Sequence, residues 1–220
     1  MKKYLLILAA VAGLVMSCSV DSKTVVCKGD VKEQAYDFTD FSCVTVNGAA
    51  DIELLQGDFL VEVTANEQVF EHLDYHVDNG ELILETKNNV NIQADTYKLK
   101  IQAPDLTALV INGAAKINTP EGIASENEIK AEINGAAKMK LSGVEAPALA
   151  VIINGAGKVK LLDINVGALE VVVNGAGSVS VTGKAGSAQL TVAGTAKIDA
   201  TALDCADVHK SVDGIASIKL

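Results

Sequence analysis

The chain has 220 residues, of which 49% are hydrophobic and 4% aromatic, and it contains no arginine and no tryptophan. This hydrophobic fraction supports a packed core and excludes general disorder, and the length suits one domain or two small ones. The chain has 18 cationic residues, all lysine, and 28 carboxylates. The resulting formal charge of −10 argues against nucleic acid as a partner, and the lack of arginine excludes bidentate guanidinium recognition of anions.

Residues 1–17 predict a bacterial lipoprotein signal peptide. Lys2 and Lys3 give a positive start, and residues 4–15 form an apolar run that is too short to span a membrane. A small residue then precedes Cys18, as in a lipobox, where the cysteine is acylated and becomes the new N-terminus. We therefore predict export and lipidation at Cys18, with an ordinary signal peptide and a chance cysteine as the alternative.

Residues 18–38 predict the lipidated cysteine followed by a tether, because residues 19–37 are polar and irregular. Three further cysteines follow, at Cys27, Cys43 and Cys205. An oxidising compartment permits one disulfide, and Cys27 and Cys43 are the closest pair in sequence, but three cysteines cannot all pair within one chain. Small buried apolar side chains are the alternative interpretation of these cysteines.

The first half of the domain, residues 38–111, is less regular than the second. Alternation typical of strands occurs at residues 59–64, 81–85 and 97–102. Asp78-Asn79-Gly80 predicts a tight turn, and residues 66–73 are the best candidate for a short helix. We expect wider, diverged coils of the same sheet as the second half, with residues 66–73 capping it or bulging from it.

A repeat of about twenty residues dominates the second half. In each copy a β-branched residue precedes Asn-Gly, a small residue comes three places after the Asn, and an aliphatic residue comes five places after it. The copies are Asn47-Gly48, Asn112-Gly113, Asn134-Gly135, Asn154-Gly155 and Asn174-Gly175, with degenerate copies at Ala193-Gly194 and Asp213-Gly214. The interval between the first two copies is about three periods long, which indicates diverged turns between them.

The alternation around each corner predicts the fold. A unit made of a strand, a corner and a strand cannot bury its apolar side alone, so the copies must stack. In-register stacking predicts an all-β parallel β-helix over residues 39–220, with a rise of about 4.8 Å per coil. Asn and Gly suit a corner because both accept a left-handed backbone, and stacked Asn side chains can form a ladder. A series of type I′ hairpins is the alternative, but hairpins do not require a fixed period.

Several phrases of the sequence occur in a characteristic order. They are Phe41-Ser42-Cys43-Val44-Thr45-Val46-Asn47-Gly48, Asp51-Ile52-Glu53-Leu54, Gln56-Gly57, Asp78-Asn79-Gly80-Glu81-Leu82, and Lys98-Leu99-Lys100-Ile101 before Pro104. Together with the Asn-Gly-Ala corners, they resemble the putative auto-transporter adhesin, head GIN domain family of Bacteroides-type lipoproteins. The resemblance covers residues 39–220. It implies a right-handed β-helix, adhesion, and an anchor in the outer membrane or on the surface of a Gram-negative bacterium, and it supplies no catalytic residues.

No catalytic or metal site is predicted, and no cofactor. His72 and His76 have a ligand-like spacing, but the turn at Asp78 and the strand alternation around them favour surface histidines, and His209 lies far away in sequence. A lyase or glycosidase on a β-helix would need clustered carboxylates. The acids of the outward columns are isolated, at Glu132, Glu170 and Asp199. We therefore predict a protein that is not an enzyme, with a carbohydrate-active enzyme as the weakest alternative.

One outward feature predicts binding. Stacked coils would bring lysines four and six places after the Asn positions into one basic patch. These are Lys116, Lys138, Lys140, Lys158 and Lys160. Adjacent like charges on a sheet repel, so the patch favours an anionic glycan, a lipid headgroup or an acidic envelope protein as partner. The alternative is that these lysines only keep a strand face soluble.

The last coil predicts a second kind of contact. Leu220 falls within the repeat, so the final strand would present an open edge that favours pairing with another chain. Lys210, Asp213 and Lys219 would either guard this edge or take part in a homo-oligomer. The sequence therefore favours a lipid-anchored binding or adhesion surface, and its alternative is a structural module that assembles through the ends of the β-helix.

Overall fold

The computed structural model describes residues 23–87 and 90–220, which form an all-β solenoid of about 6 stacked turns. The strands of the first half are β1 (Thr24–Cys27), β2 (Val31–Tyr36), β3 (Cys43–Val46), β4 (Asp51–Gln56), β5 (Leu60–Asn66), β6 (Leu73–Asp78), β7 (Glu81–Thr86), β8 (Asn91–Ala94) and β9 (Tyr97–Ala103). Those of the second half are β10 (Ala108–Ile111), β11 (Lys116–Thr119), β12 (Ile123–Ala124), β13 (Ile129–Ile133), β14 (Lys138–Ser142), β15 (Val144–Ile153), β16 (Lys158–Val173), β17 (Ala176–Asp204) and β18 (Asp207–Lys219).

The repeat stacks as the sequence predicts. Each coil has one arm before its Asn-Gly corner and one arm after it, and equivalent arms of successive coils pair in parallel. Before the corner, β3, β10, β13, β15 and β16 follow one another, and after it β4, β11, β14 and β16 do so. The long strands β16 and β17 pass from one arm to the other. The predicted parallel β-helix is therefore confirmed.

The core lies between the arms, where the inward columns meet. Ile133, Ile153 and Leu161 are fully buried, and the same columns continue with aliphatic residues in neighbouring coils. Each fully buried aliphatic side chain stabilises the fold by roughly 1.5–3 kcal/mol relative to exposure. Because every coil contributes a thin layer of such side chains, the core is long and narrow and needs few aromatic residues.

A ladder of asparagine side chains runs along the corners. Nδ2 of each corner Asn donates a hydrogen bond to Oδ1 of the corner Asn in the preceding coil. The donor–acceptor distances are 2.9 Å for Asn174 to Asn154, 2.8 Å for Asn154 to Asn134, 3.0 Å for Asn134 to Asn112, and 2.8 Å for Asn112 to Asn47. Asn47 in turn donates to a carboxylate oxygen of Glu85 at 3.0 Å. The predicted ladder is therefore present, and Glu85 accepts its last free donor.

Most glycines of the Asn-Gly corners are needed for a reason other than the predicted one. None of the five Asn-Gly glycines has a positive φ, so a left-handed backbone does not explain them. Instead, a Cβ built on Gly155 would lie 2.3 Å from the carbonyl oxygen of Gly135 in the preceding coil. Gly113, Gly135 and Gly175 approach the preceding corner as closely, whereas a Cβ on Gly48 would meet no atom within 4 Å. The degenerate corners Gly194 and Gly214 do have positive φ, as the sequence predicts for a left-handed backbone.

The first half departs from the predicted order of coils. β3 pairs directly with β10, so the corners at Asn47 and Asn112 are neighbours and no diverged turns separate them. The intervening chain forms a coil from β7 and β9 that stacks on the opposite side of β3 and β4. The interval therefore does contain a diverged coil, but the expectation that it lies between the two corners was wrong, because spatial order differs from sequence order here.

Antiparallel strands finish this end of the solenoid. β6 pairs with β7 through the turn predicted at Asp78-Asn79-Gly80, where Asn79 and Gly80 both have positive φ, and β5 pairs with β9. The predicted short helix is confirmed as a 3₁₀ helix, Glu67–His72, whose Val69 is buried. These elements cover the core at the end where the coil of β7 and β9 lies.

Much of the predicted tether is part of the domain. β1 pairs in parallel with β8, and β2 pairs in antiparallel fashion with β5. Cys27 is fully buried, which fixes β1 against the core. The prediction of a tether was wrong for residues 24–36, because β2 has almost no buried side and therefore no hydrophobic alternation. Cys18 and the signal peptide predicted at 1–17 lie outside the described residues.

The remaining cysteines form no disulfide. Cys27, Cys43 and Cys205 are all free thiols, so the pairing of Cys27 with Cys43 that the sequence left open is absent. Burial raises the pKa of the Cys27 thiol, with the Glu71 carboxylate as a smaller cause, which keeps this side chain neutral. Cys27 therefore acts as a small apolar core residue.

Candidate ligand-binding face

The structure brings the five predicted lysines together on the arm that follows the corners. Lys116, Lys138 and Lys158 are direct partners in the register of β11, β14 and β16, and Lys140 pairs with Lys160 two positions further along. All five are exposed, because their neighbours at odd positions point into the core. Successive lysines in a row are separated by the distance between parallel strands, roughly 4.8 Å.

Two further lysines extend this surface beyond the prediction. On β9, Lys98 is in register with Asp51 of β4, and Lys100 is in register with Glu53. Sequence spacing could not find them, because β9 reaches β4 through the reordered coil of the first half. We call the following seven residues the lysine face: Lys98, Lys100, Lys116, Lys138, Lys140, Lys158 and Lys160.

The acids of the lysine face occupy one end of it. Asp51 accepts a salt bridge from Lys116 at 3.3 Å, but both side chains are more than half exposed, so the pair stabilises the fold by at most about 1 kcal/mol. Glu62 of β5 stands opposite Lys100, in register. These carboxylates lie on β4 and β5, whereas β14 and the start of β16 carry none on this face.

Six of the seven lysines form no salt bridge in the described chain, and four of them also have no carboxylate in register. Within residues 23–87 and 90–220, no salt bridge involves Lys138, Lys140, Lys158 or Lys160. The row beyond them carries Ser178 and Ser180, which are in register with Lys158 and Lys160 and add hydroxyl groups without charge. A protein of net negative charge therefore holds a local positive surface whose ammonium groups are free to donate to an external anion.

The shape of the face suits an extended ligand. Its strands are stacked in parallel, and an open depression on it is lined by Asp51, Glu53, Lys98, Lys116 and Lys140. Enclosed small-molecule sites are usually concave and largely apolar. An open surface with regularly spaced ammonium groups instead matches a chain of anionic groups laid across several coils.

The other residues that the sequence suggested for a site do not lie together in the structure. His72 ends the 3₁₀ helix and His76 lies on β6, both partly buried. Glu132 accepts a salt bridge from Lys130 at 3.1 Å. In the part of the chain that the structure describes, no three His, Cys, Asp or Glu residues are grouped as metal ligands would be.

The remaining predicted acids are also separate. Glu170 lies in register with Ala150 on the arm before the corners, whereas Asp199 lies on the arm after them. Two hydrogen bonds from Thr201, from its hydroxyl at 2.8 Å and its backbone N–H at 3.4 Å, lower the pKa of the Asp199 carboxyl. Asp199 therefore has a local partner within β17 and joins no group of acids in the described chain.

Comparison with known proteins agrees with this architecture. The model of the family described as putative auto-transporter adhesin, head GIN domain, matches residues 40–220. The chain belongs to this family. The match covers nearly the whole domain predicted at 39–220 and confirms the resemblance seen in the sequence. Membership places the protein among adhesin-like proteins of the cell surface or envelope.

Solved structures share the fold at low sequence identity. A putative adhesin from Bacteroides fragilis is 15% identical, with a TM-score of 0.73 over 89% of this chain and 99% of that one. A putative adhesin from Parabacteroides distasonis is 16% identical, with a TM-score of 0.63 over 89% and 99%. A putative lipid binding protein from the same species is 19% identical, with a TM-score of 0.57 over 89% and 98%. No curated protein matches the chain.

The fold gives no helix of membrane-spanning character. In the two described segments, 23–87 and 90–220, no helix combines the length and the apolar composition that crossing a bilayer requires.

Proposed function

We propose that this is a non-enzymatic protein of the cell envelope whose lysine face binds an anionic glycan. Family membership and the adhesin-like neighbours support a binding role. The lysine face supports the choice of an anionic ligand, because its charge is opposite to that of the chain as a whole. The regular spacing of the lysines over several coils supports a polymer in preference to a compact small molecule.

One observation carries this proposal: Lys138, Lys158, Lys140 and Lys160 stand in two rows with no intramolecular ionic partner in the described chain. Holding like charges side by side costs a few tenths of a kcal/mol or more for each pair. A sulfated or uronic acid-rich glycan that runs along the solenoid axis would remove this repulsion. It would also gain several exposed ion pairs, each worth about 0.2–1 kcal/mol.

Charge reversal tests the proposal directly. We expect Lys138→Glu/Lys158→Glu to weaken binding to sulfated and uronic acid-rich glycans at least about tenfold, because two contacts become repulsions. Binding would be measured on a glycan array and then by titration calorimetry with the best glycan. The matched control is Lys28→Glu/Lys184→Glu, which changes the net charge equally at exposed positions away from the face.

The control should bind as the unmodified chain does. Equal binding by all three proteins would refute the proposal, as would an array on which no anionic glycan is bound. Vesicles containing phosphatidylglycerol form a further arm of the experiment. Binding to these vesicles through the same lysines, without binding to glycans, would show that the ligand is a lipid surface and that the glycan assignment is wrong.

We further propose that a lipid on Cys18 holds the protein at the outer membrane. The apolar run before Cys18 and the small residue next to it support this proposal. Substitution Cys18→Ala is expected to abolish labelling of the expressed chain by radioactive palmitate and to remove the chain from the membrane pellet. The control Cys205→Ala should keep both, and a labelled, membrane-bound Cys18→Ala protein would rule out the anchor.

A further inference from the structure

The chain contains six Asn-Gly dipeptides, and asparagine is chemically labile when glycine follows it. The backbone nitrogen of the following residue can attack the side-chain carbonyl carbon Cγ, and glycine hinders this attack least because it has no Cβ. Five of the six dipeptides form corners of the solenoid, and the sixth is Asn79-Gly80 in the turn between β6 and β7. The fold therefore decides which of these asparagines reacts.

The attacking nitrogen is equally available at all six sites. Among residues 23–87 and 90–220, the backbone N–H of Gly80 donates no hydrogen bond, and neither does the N–H of any glycine in the five Asn-Gly corners. These glycines are Gly48, Gly113, Gly135, Gly155 and Gly175. Any difference in reactivity must therefore come from how the asparagine amide is held.

The asparagine ladder holds the amides of the corners in place. Asn134 and Asn154 each donate a hydrogen bond from Nδ2 and accept one at Oδ1, with donor–acceptor distances of 2.8–3.0 Å. These bonds direct each amide along the solenoid axis. The side chain cannot turn its Cγ towards the glycine nitrogen without breaking both bonds, and attack requires the two atoms to be correctly aligned. An inner member of the ladder therefore reacts only after the coils separate.

Asn79 has no such support. It lies exposed at the tip of a two-residue turn, where Asn79 and Gly80 both have positive φ, as in a type I′ hairpin. In the part of the chain that the structure describes, its amide donates only to Oδ1 of the adjacent Asp78, at 3.0 Å. Because these two residues are neighbours in sequence, the bond moves with the turn. Local opening of an exposed tip costs much less than separation of stacked coils.

We propose that Asn79 is a modification site at which the folded chain deamidates, and that the asparagine ladder protects the corners from the same reaction. The nitrogen of Gly80 forms a bond to Cγ of Asn79 and gives its proton to water or hydroxide, while Nδ2 takes up a proton and leaves as ammonia. Water then opens the resulting succinimide at either carbonyl, which leaves an aspartate or an isoaspartate at position 79. Water is the only co-reactant, and nothing is oxidised or reduced.

The turn lies where such a product disturbs the fold. The carbonyl oxygen of Gly80 accepts hydrogen bonds from the N–H groups of Ser42, at 3.0 Å, and Cys43, at 3.3 Å, which tie the turn to the start of β3. An isoaspartate adds a methylene to the backbone of a turn that has only two residues. We therefore expect modification at position 79 to loosen the hairpin of β6 and β7 from its neighbour.

Peptide mapping by mass spectrometry tests this proposal on the purified full chain, incubated at mildly alkaline pH. Asn79 should deamidate at least about tenfold faster than Asn112, Asn134 and Asn154, because each of these must first lose two hydrogen bonds. Asn174 should react at an intermediate rate, since its Oδ1 accepts no hydrogen bond within the described segments. In guanidinium chloride, all of these asparagines should react at similar rates, because the unfolded chain has no ladder.

A break in the ladder gives a second test. Asn154→Ala removes the remaining ladder bond of Asn174, so deamidation of Asn174 should accelerate at least about threefold, whereas Asn79 should keep its rate. Circular dichroism would check that this variant is folded. Inner ladder asparagines that react as fast as Asn79 in the folded chain would overturn the proposal. It would also be overturned if Asn79 stayed intact while the unfolded chain reacts, or if a folded Asn154→Ala variant left Asn174 unchanged.

Discussion

Replacement of Gly155 by alanine is expected to lower the melting temperature by about 6–12 °C, which corresponds to a loss of about 3 kcal/mol for a chain of this size. The added Cβ would lie 2.3 Å from the carbonyl oxygen of Gly135 and 3.1 Å from its carbonyl carbon. Real Cβ atoms do not approach a backbone so closely, so one of the two coils must move.

Such a movement disturbs the stacking itself. The same carbonyl of Gly135 accepts a hydrogen bond from the N–H of Ala156 at 3.0 Å, and Asn154, next to the glycine, is a central member of the asparagine ladder. The coils cannot separate at the corner without lengthening these bonds. The cost therefore falls on the interface between coils, which holds the solenoid together.

Gly48 provides a matched control within the same column. It also follows a corner asparagine, but a Cβ built on it meets no atom within 4 Å. Differential scanning calorimetry should therefore find Gly48→Ala within about 0.5 kcal/mol of the unmodified chain. Equal destabilisation by Gly48→Ala and Gly155→Ala would show that corner glycines are required by backbone conformation and not by close approach.

The fold is expected to lose stability steeply between pH 10 and pH 12. Tyr75 and Tyr97 share a hydrogen bond between their hydroxyl groups, where the first strands of the solenoid meet. Burial raises the pKa of Tyr97 to about 12 and raises that of Tyr75 well above its usual range. The neighbouring tyrosine adds to the increase for Tyr75, because two phenolates cannot be accommodated side by side.

The direction of this pH effect follows from the ionisation of tyrosine in the folded and unfolded states. An unfolded tyrosine releases its proton near pH 10, so below that pH both states are neutral and the contribution of the pair is fully present. Above it only the unfolded state ionises, and stability falls. For Tyr97 alone the loss at pH 12 is about 2 kcal/mol, since one pKa unit corresponds to about 1.4 kcal/mol and the folded side chain is itself half ionised at that pH. Tyr75 adds to this loss.

Phenolate absorbance at 295 nm and circular dichroism, followed together during alkaline titration, would measure the effect. The double variant Tyr75→Phe/Tyr97→Phe should unfold at a distinctly higher pH, because its core contains no proton to lose at this position. Lysine deprotonation affects both proteins equally and is removed by the comparison. An unchanged midpoint would show that these hydroxyl groups ionise freely in the folded protein.

The second half of the fold could be predicted because its repeat is local. One strand, corner and strand recur with matched columns, so stacking follows from the sequence alone. The first half could not be predicted in the same way. The coil of β7 and β9 packs outside the coil of β3 and β4, and a spacing along the chain carries no information about such a reversal. β2 was missed because its exposed residues do not alternate.

The candidate site could likewise be predicted only where its residues belong to the repeat. Lys116, Lys138 and Lys158 repeat with the period, so their spacing alone aligns them on neighbouring coils. Lys98 and Lys100 lie outside the repeat and join the face only through the pairing of β9 with β4.

Lysine footprinting would locate a bound glycan on the solenoid and so decides whether the lysine face is the binding surface. The protein would be acetylated briefly with and without a sulfated glycan, and the modified lysines would be quantified by mass spectrometry. We expect protection that is strongest at Lys138, Lys140, Lys158 and Lys160 and absent at Lys28 and Lys184. Protection spread evenly over all lysines, or confined to lysines outside the face, would show that the glycan does not bind there.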